Sequence, residues 1–286
     1  GSDPALNMRL TGGNYGRIDA VGSFSLPLAT DSSIGDLALG GAIAYLRRNG
    51  YGENLVTGQD NYNKDILAGR LAVEWAPSET VSIRLSGDWT DDNSAPKQGH
   101  RLLAFPGNIP LGIPAYPVLD NVYDTRAGLT SPEQSVVAKG ATAVFEWQAS
   151  DSLTFKNILS YRKDRTETPI DFDSLPEADL DVPAIYANKQ FSEEFQVIYQ
   201  NGRLNGVLGF YYLDADALTA FDVVLGTTAD LLAFPNLLVH TSSFAQTKTW
   251  SVFGDFTYDL TDTLAVSLGG RYTSDKRAAD IDRFQY

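Results

Sequence analysis

Apolar and polar side chains alternate along much of the chain, and residues 250–272 show the pattern most clearly. From Trp250 to Tyr258 the even positions are apolar or glycine, and most odd positions are serine, threonine or aspartate. Leu264 to Tyr272 repeats the alternation after a short turn at 261–263. Because successive side chains of a strand point to opposite faces, the pattern predicts a β-hairpin with an apolar face and a polar face.

The same alternation recurs along the whole chain and predicts about eleven strands. Most of them approach the length of nine to eleven residues with which a tilted strand crosses a bilayer. The predicted strands are residues 6–11, 17–26, 37–48, 66–75, 81–90, 137–147, 153–162, 191–200, 204–214, 250–260 and 264–272.

Short and long connections alternate between these strands. The short ones are 29–35, 77–80, 149–152, 201–203 and 261–263, and the long ones are 49–64, 91–135, 166–190 and 217–247. Antiparallel neighbours place alternate connections at opposite ends, so the long loops are expected to gather at one rim. This asymmetry is typical of outer-membrane barrels, which have short periplasmic turns and long extracellular loops.

Aromatic residues fall near both ends of the apolar face, with aliphatic and small residues between them. Aromatic girdles at the two membrane interfaces are expected of a strand that crosses a bilayer. The predicted interface residues are Trp75, Trp89, Trp147, Tyr161, Tyr199, Trp250, Tyr258 and Tyr272, with Phe155 and Phe191 in the same two girdles. The predicted fold is therefore all-β, an antiparallel up-and-down transmembrane β-barrel.

The composition and the motifs disfavour several classes of function. No run approaches the roughly 18 consecutive apolar residues of a membrane helix. The net charge of −14 and the pI near 4.5 disfavour a nucleic-acid partner. Neither a Gly-x-Ser-x-Gly elbow nor a His-Glu-x-x-His helix is present, and the chain has no Cys, so an enzyme is not expected. No cofactor or metal is expected either.

Several short motifs, in order, resemble one family. Asn14-Tyr-Gly-Arg17, residues 22–28 and residues 50–58 resemble the first barrel strands of TonB-dependent outer-membrane receptors, and Phe191-Ser-Glu-Glu-Phe-Gln-Val197 with residues 269–273 resembles later strands. The likeness runs through the whole chain and implies that residues 1–286 are the N-terminal half of a 22-stranded barrel domain, about 11 strands, without the plug and the C-terminal strands.

The resemblance also implies a function. Such receptors lie in the outer membrane of Gram-negative bacteria and import scarce nutrients, most often ferric siderophores, using energy delivered through the TonB complex. The expected partners are outer-membrane lipid, the receptor's own plug, the TonB complex, and a ferric siderophore or another small nutrient. The first residues, Gly1-Ser-Asp-Pro, lack the basic start and apolar core of a signal peptide, so an exported protein would need a longer beginning. An open sheet would leave two unpaired edges, and the isolated chain is not expected to transport.

Three alternatives remain open at this point. A passive outer-membrane porin would have similar strands but no need for a plug. A membrane-embedded hydrolase would need a nucleophile with a histidine close to it. A soluble β-rich binding module, such as a sandwich, would stay monomeric without detergent.

Aromatic residues in the predicted loops are the candidate ligand-binding set, because exposed aromatic clusters mark binding surfaces. They are Phe105, Tyr116, Tyr123, Phe221, Phe234 and Phe244. The alternative is that these side chains only pack loop against loop.

Charged residues have simpler interpretations. Those on the polar face are expected to form a charge lattice on the barrel wall: Arg70, Glu74, Arg84, Asp88, Glu194, Asp255 and Arg271. His100 and His240 lie in predicted loops and are expected to be solvated, without partners. The carboxylates at 171, 173, 177, 179 and 181 are expected to be an acidic surface, with a Ca²⁺ site as the alternative.

Overall fold

The computed structural model describes residues 3–226, 229 and 237–285. Eleven long strands form one antiparallel sheet in which each strand pairs with its neighbour in the chain. This confirms the predicted fold class and strand number. Among the described residues no helix is both long enough and apolar enough to cross a membrane.

The strands are numbered in chain order. The long strands are β1 (Ala5–Gly13), β2 (Arg17–Ala29), β3 (Asp36–Arg48), β6 (Lys64–Ser78), β7 (Val81–Asp92), β8 (Ser135–Ser150), β9 (Leu153–Asp171), β10 (Leu180–Asn201), β11 (Leu204–Leu225), β12 (Leu237–Thr261) and β13 (Leu264–Gln285). Two short strands, β4 (Gly52–Glu53) and β5 (Asp60–Asn61), form a separate hairpin, and a single 3₁₀ turn spans Ile109–Leu111.

The two ends of the sheet differ. Connections at 30–35, 79–80, 151–152, 202–203 and 262–263 lie at the turn end, and those at 49–63, 93–134 and 172–179 lie at the loop end, with the short turn 14–16. Four register shifts also fall at the turn end, just before a short turn, such as the one between Gln148 and Ser150. Bulges there add local twist where the chain reverses.

The prediction of a long loop was wrong in two places. Residues 166–190 and 217–247 were expected to be loops, but β9 to β12 continue through most of them, and the strands from β9 onward are 19 to 25 residues long. Parts of these extensions lack the alternation that marks a strand, because Thr241-Ser-Ser243 is polar on both faces whereas residues 218–225 are largely apolar on both. Pairing with an equally long neighbour supplies their backbone hydrogen bonds instead.

The strand pairing assigns side chains to faces. Trp75 lies opposite Ile83, Val81 opposite Trp147, and Trp147 opposite Phe155. The pairing continues in this way as far as β13, with apolar positions always opposite apolar positions. All eight predicted interface residues therefore lie on the apolar face. In β10 and in β12 the girdle residues are eight positions apart (Tyr199 to Phe191, Tyr258 to Trp250), which is ~26 Å along a strand.

The apolar face is largely uncovered. Leu71, Leu85, Leu208 and Leu268 lie between the two girdles, and about half or more of each side chain is exposed. A soluble protein rarely leaves so large a contiguous apolar surface in water.

The polar face carries the predicted charge lattice. Arg84 pairs with Glu74 at 2.9 Å, and Arg162 of β9 binds both oxygens of Asp88 of β7 at 3.0 and 2.8 Å. Arg271 lies 5.8 Å from the ring of Tyr211 and 5.7 Å from that of Phe253. These contacts connect adjacent strands, and also strands two apart such as β7 and β9, on the side opposite the girdles.

Phenylalanine rings cover glycines in both faces of the sheet. A Cβ added at Gly209 would meet the ring of Phe253 at 2.1 Å, whereas a Cβ added at Gly270 would meet nothing within 4 Å. We expect Gly209→Ala to displace the ring and cost about 1–3 kcal/mol, and Gly270→Ala to be neutral within about 1 kcal/mol. Urea unfolding of the full-length protein in phospholipid vesicles would measure both. Equal losses in the two variants would contradict this packing.

Candidate functional site

Several deeply buried residues lie at the loop end of the sheet. Asn54, Asn61, Thr125 and Asp181 are each 1% exposed, and Ala127 is fully buried. We call residues 49–63, 93–134 and 172–179 together the loop cluster. This cluster has a packed interior of its own, whereas the apolar face of the sheet does not.

The long loop 93–134 is bound to the first loop through buried asparagines. The amide of Leu55 donates to the carbonyl of Thr125 at 2.9 Å, and the amide of Thr125 donates to the carbonyl of Glu53 at 3.0 Å. The Asn54 side chain donates to the Ala127 carbonyl at 3.0 Å, and the Asn61 side chain donates to the Tyr123 carbonyl and the Thr125 hydroxyl at 3.0 Å each. Removing either amide would leave buried acceptors without partners, which costs about 1–3 kcal/mol.

The same long loop is bound on its other side to the hairpin tip 172–179. Gly128 donates its amide to the carbonyl of Leu175 at 2.8 Å, and the amide of Thr130 donates to Asp181 Oδ2 at 2.9 Å. The Tyr116 hydroxyl donates to Glu177 Oε1 at 2.6 Å. Burial, together with the bond to Glu177, raises the pKa of Tyr116 to about 12, so the phenol stays a donor.

Phe105 and Tyr116, two of the predicted ligand-binding residues, face each other. Their backbones pair at 2.8 and 2.9 Å, and their rings stack with centroids 6.5 Å apart. The guanidinium of Arg101 lies 5.3 Å from the Phe105 ring, and that of Arg126 lies 5.7 Å from the Tyr116 ring. The loop therefore presents an aromatic pair with an arginine at each ring, an arrangement that favours aromatic or anionic ligands.

Tyr123, the third predicted residue, belongs to a separate cluster of four tyrosines. Its ring lies 5.5 Å from Tyr51 and 5.9 Å from Tyr62, and Tyr51 contacts Tyr15 at 4.9 Å. The guanidinium of Arg48 lies 4.0 Å above the Tyr51 ring. Sequence reasoning missed Tyr15, Tyr51 and Tyr62, although all three lie in segments at the loop end.

Two of these tyrosines have unusual backbones. Tyr15 has φ 60° and Tyr62 has φ 61°, in the left-handed region that bulky residues seldom occupy. Such strain persists where the surrounding structure holds the residue, and it concentrates at functional sites.

The remaining predicted ligand-binding residues lie elsewhere. Phe221 is in β11 opposite Ala184, and Phe244 is in β12 opposite Leu218, on opposite faces of the sheet. Their placement in loops was wrong because β11 and β12 extend beyond the girdle. Phe234 lies outside the described residues. The loop cluster thus brings together Phe105 and Tyr116, with Tyr123 in the tyrosine cluster.

The two histidines have partners, contrary to the expectation that they would be solvated alone. His100 Nδ1 lies 2.8 Å from the carbonyl oxygen of Asp124. His240 Nδ1 lies 2.6 Å from Asp222 Oδ1, and its ring stacks on Phe284 at 4.9 Å. Both positions are partly buried, because extended strands and packed loops surround them.

The acidic segment organises the backbone of the hairpin tip. Asp171 Oδ1 accepts from the amides of Asp173 and Ser174 at 2.9 and 2.8 Å, and Asp173 accepts from those of Leu175 and Leu180 at 2.7 and 3.0 Å. Within the described part of the chain, no group of three or more histidine or carboxylate side chains is arranged to hold a metal ion.

A family profile of the TonB dependent receptor-like β-barrel matches residues 85–284, more than two thirds of the chain. The chain belongs to this family. Members of this family form β-barrels, which agrees with the strand order and the one-sided apolar face of this sheet. No curated protein sequence matches the chain.

Solved receptors share the fold. The ferric yersiniabactin uptake receptor FyuA of Yersinia pestis matches 99% of this chain over 44% of its own length, with a TM-score of 0.68 and 14% identity. The siderophore receptor PiuA of Acinetobacter baumannii matches 97% of the chain over 46% of its own, at TM-score 0.57 and 10% identity. P. aeruginosa FpvA, solved with bound pyoverdines, gives TM-score 0.57 and 11% identity over 38% of its length. The chain therefore spans less than half of each receptor, and at these identities the likeness concerns the fold alone.

The hairpin tip should loosen from the long loop as the pH rises. Burial raises the pKa of Asp173 from 3.8 to about 7 and that of Asp181 to about 6. Between about pH 4 and pH 7 the attached tip retains protons that the detached tip releases, so attachment is strongest at low pH and weakens towards pH 7. Amide exchange at Thr130 and Leu180, corrected for the intrinsic effect of pH, should report more frequent opening at pH 8 than at pH 5.

Substitution of Asp173 separates this local effect from a general effect of pH on the whole protein. Asp173→Asn keeps an acceptor but cannot ionise, so it should reduce the pH dependence to the part due to Asp181, whereas Asp151→Asn in an exposed turn at the other end should leave it unchanged. An unchanged pH dependence in Asp173→Asn would contradict the assignment.

Proposed function

We propose that this chain forms about half of the barrel of an outer-membrane receptor in a Gram-negative bacterium, which imports a ferric siderophore with energy delivered through the TonB complex. Membership of the receptor family supports the general role. The observation that carries the proposal is the uncovered apolar face, bounded at both ends by aromatic girdles ~26 Å apart along the strands.

The membrane position follows from this face. Trp75, Trp147 and Tyr258 are at the turn end, and Trp89, Trp250 and Tyr272 are nearer the loop end, all with more than a third of their surface exposed. Indole and phenol rings prefer the interface between lipid and water. We assign the turn end to the periplasm and the loop end to the outside of the cell.

The two edges of the sheet support the proposal that the chain is one part of a larger barrel. In the described residues, β1 and β13 each pair on one side only. Lipid offers no partner for backbone N–H and C=O groups. Further strands of the same receptor would satisfy these edges, and a plug would fill the space beside the polar face.

The loop cluster is the proposed site of ligand capture. It holds the stacked Phe105 and Tyr116, the arginines above them and the tyrosine cluster around Tyr51, all at the end assigned to the exterior. Aromatic rings and guanidinium groups suit the aromatic and anionic groups with which small chelators bind ferric iron. A passive porin is the alternative, and the energy dependence of uptake distinguishes it.

The membrane assignment predicts opposite responses at adjacent positions of β7. Leu85 is in the middle of the apolar face and Ser86 is on the polar face. Leu85→Arg should destabilise the receptor by about 2–4 kcal/mol, since it places a charge near the bilayer midplane, whereas Ser86→Arg should cost little. Urea unfolding of full-length receptor in phospholipid vesicles measures both. A soluble β-module would tolerate Leu85→Arg at an exposed position as well as Ser86→Arg.

The capture site predicts a loss of uptake in a single loop variant. In cells starved of iron, Phe105→Ala in the full-length receptor should weaken binding of its ferric siderophore by about tenfold or more, since a central aromatic contact is removed. Ile109→Ala, at a position 93% exposed in the same loop, is the matched control and should leave uptake unchanged. Radioactive iron uptake with a panel of catecholate, hydroxamate and phenolate siderophores provides the measurement.

Two results would contradict the proposal. Uptake that continues in cells without TonB, or with a collapsed proton gradient, would favour the porin. If no siderophore of the panel were imported although the receptor is inserted in the membrane, the assigned substrate class would be wrong.

A further inference from the structure

A row of lysines crosses the sheet on the apolar face, just beyond the loop-end girdle. Lys139 of β8 lies directly opposite Lys163 of β9, and Lys163 lies directly opposite Lys189 of β10. Tyr161 and Phe191 are two positions nearer the middle of the same strands. Trp89 lies opposite Lys139 at the end of the row.

This arrangement is unfavourable unless an anion is present. Like charges on directly opposed residues of a sheet repel each other. Lys189 is neutralised by Asp216 of β11 at 2.9 Å. Within the described part of the chain, Lys139 and Lys163 form no ion pair with a carboxylate, and both are exposed.

The lysines border a groove on the sheet surface with a volume of about 520 Å³. Arg165, which pairs with Glu167 at 2.7 Å, lies beside the lysines in the groove. Val137, Leu218 and Phe244 form its apolar part. The groove therefore combines unpaired ammonium groups with an apolar wall, which suits an amphiphile that has an anionic head.

We propose that this groove binds the phosphorylated headgroup of a lipid in the outer leaflet of the outer membrane. The inference rests on the proposed membrane position, since the girdle of Tyr161 and Phe191 then places Lys139 and Lys163 at the level of the headgroups. Phosphate oxygens accept hydrogen bonds from both ammonium groups and remove their mutual repulsion. Acyl chains of the same lipid lie along the apolar face between the girdles.

The test uses full-length receptor in nanodiscs of phosphatidylcholine, titrated with a diphosphorylated glucosamine-based glycolipid and monitored by native mass spectrometry. Wild-type receptor should retain the glycolipid. The double variant Lys139→Gln with Lys163→Gln should bind it about thirtyfold more weakly, as expected for two lysines near a membrane surface. The matched control is Lys64→Gln with Lys156→Gln, which makes the same change of charge on the polar face and should retain wild-type binding.

Further measurements identify the chemical group that the groove recognises. Lys139→Arg with Lys163→Arg keeps both charges and should restore binding, which separates loss of charge from misfolding. The same glycolipid without its phosphates should bind no better to wild type than to the glutamine variant, and millimolar inorganic phosphate should not displace the intact lipid.

Each opposite result overturns the proposal. Equal retention by the glutamine variant and its polar-face control would remove the lysines from recognition. Displacement by inorganic phosphate would make the groove a site for free phosphate, and equal binding of the dephosphorylated lipid would reduce it to an apolar contact. Failure of the receptor to enter nanodiscs would overturn both this proposal and the membrane function, whereas failed iron uptake with lipid binding intact would affect only the proposed substrate.

Discussion

The backbone hydrogen-bond ladder is the interaction on which the rest of this structure depends. Eleven strands pair in chain order, so each interior strand finds partners for its N–H and C=O groups on both sides. The uncovered apolar face requires an apolar solvent, and in such a solvent every unpaired backbone group is costly. Uninterrupted pairing is therefore the condition for exposing Leu71, Leu85 and Leu208. It also accounts for the position of the register shifts, which fall beyond the turn-end girdle, where water can hydrogen-bond to the backbone.

The loops are stabilised in a different way. They extend from the sheet into water and cannot use lipid to stabilise their apolar groups, so they build an interior from their own residues. Buried amides of Asn54 and Asn61 and the carboxylate of Asp181 bind main-chain groups of the long loop 93–134. Polar contacts of this kind specify one arrangement, because each buried donor and acceptor needs its own partner. The sheet and the loop cluster are thus stabilised by opposite means within one chain.

Local alternation was enough to predict the central parts of the strands and the shared face on which their aromatic residues lie. It failed where that alternation stops. Farther out along β12, Thr241-Ser-Ser243 is polar on both faces and resembles a loop. The loop cluster also could not be predicted from local patterns. Asn54 and Thr125 are far apart in the chain, and nothing in the sequence around either residue indicates that the two come together. The left-handed backbones of Tyr15 and Tyr62 likewise lie among ring contacts, with Tyr51 and Tyr123, that local sequence does not indicate.

The extended strands change where a solute first meets the protein. β12 begins at Leu237, thirteen residues before Trp250, which corresponds to ~43 Å of strand beyond the girdle. β9, β10 and β11 project in the same direction. In the orientation proposed here they form the wall of a tall vestibule that rises above the bilayer, with the loop cluster beside its mouth. In that orientation a nutrient would meet the loop cluster and the extended strands well outside the membrane, before it reached the part of the barrel between the girdles.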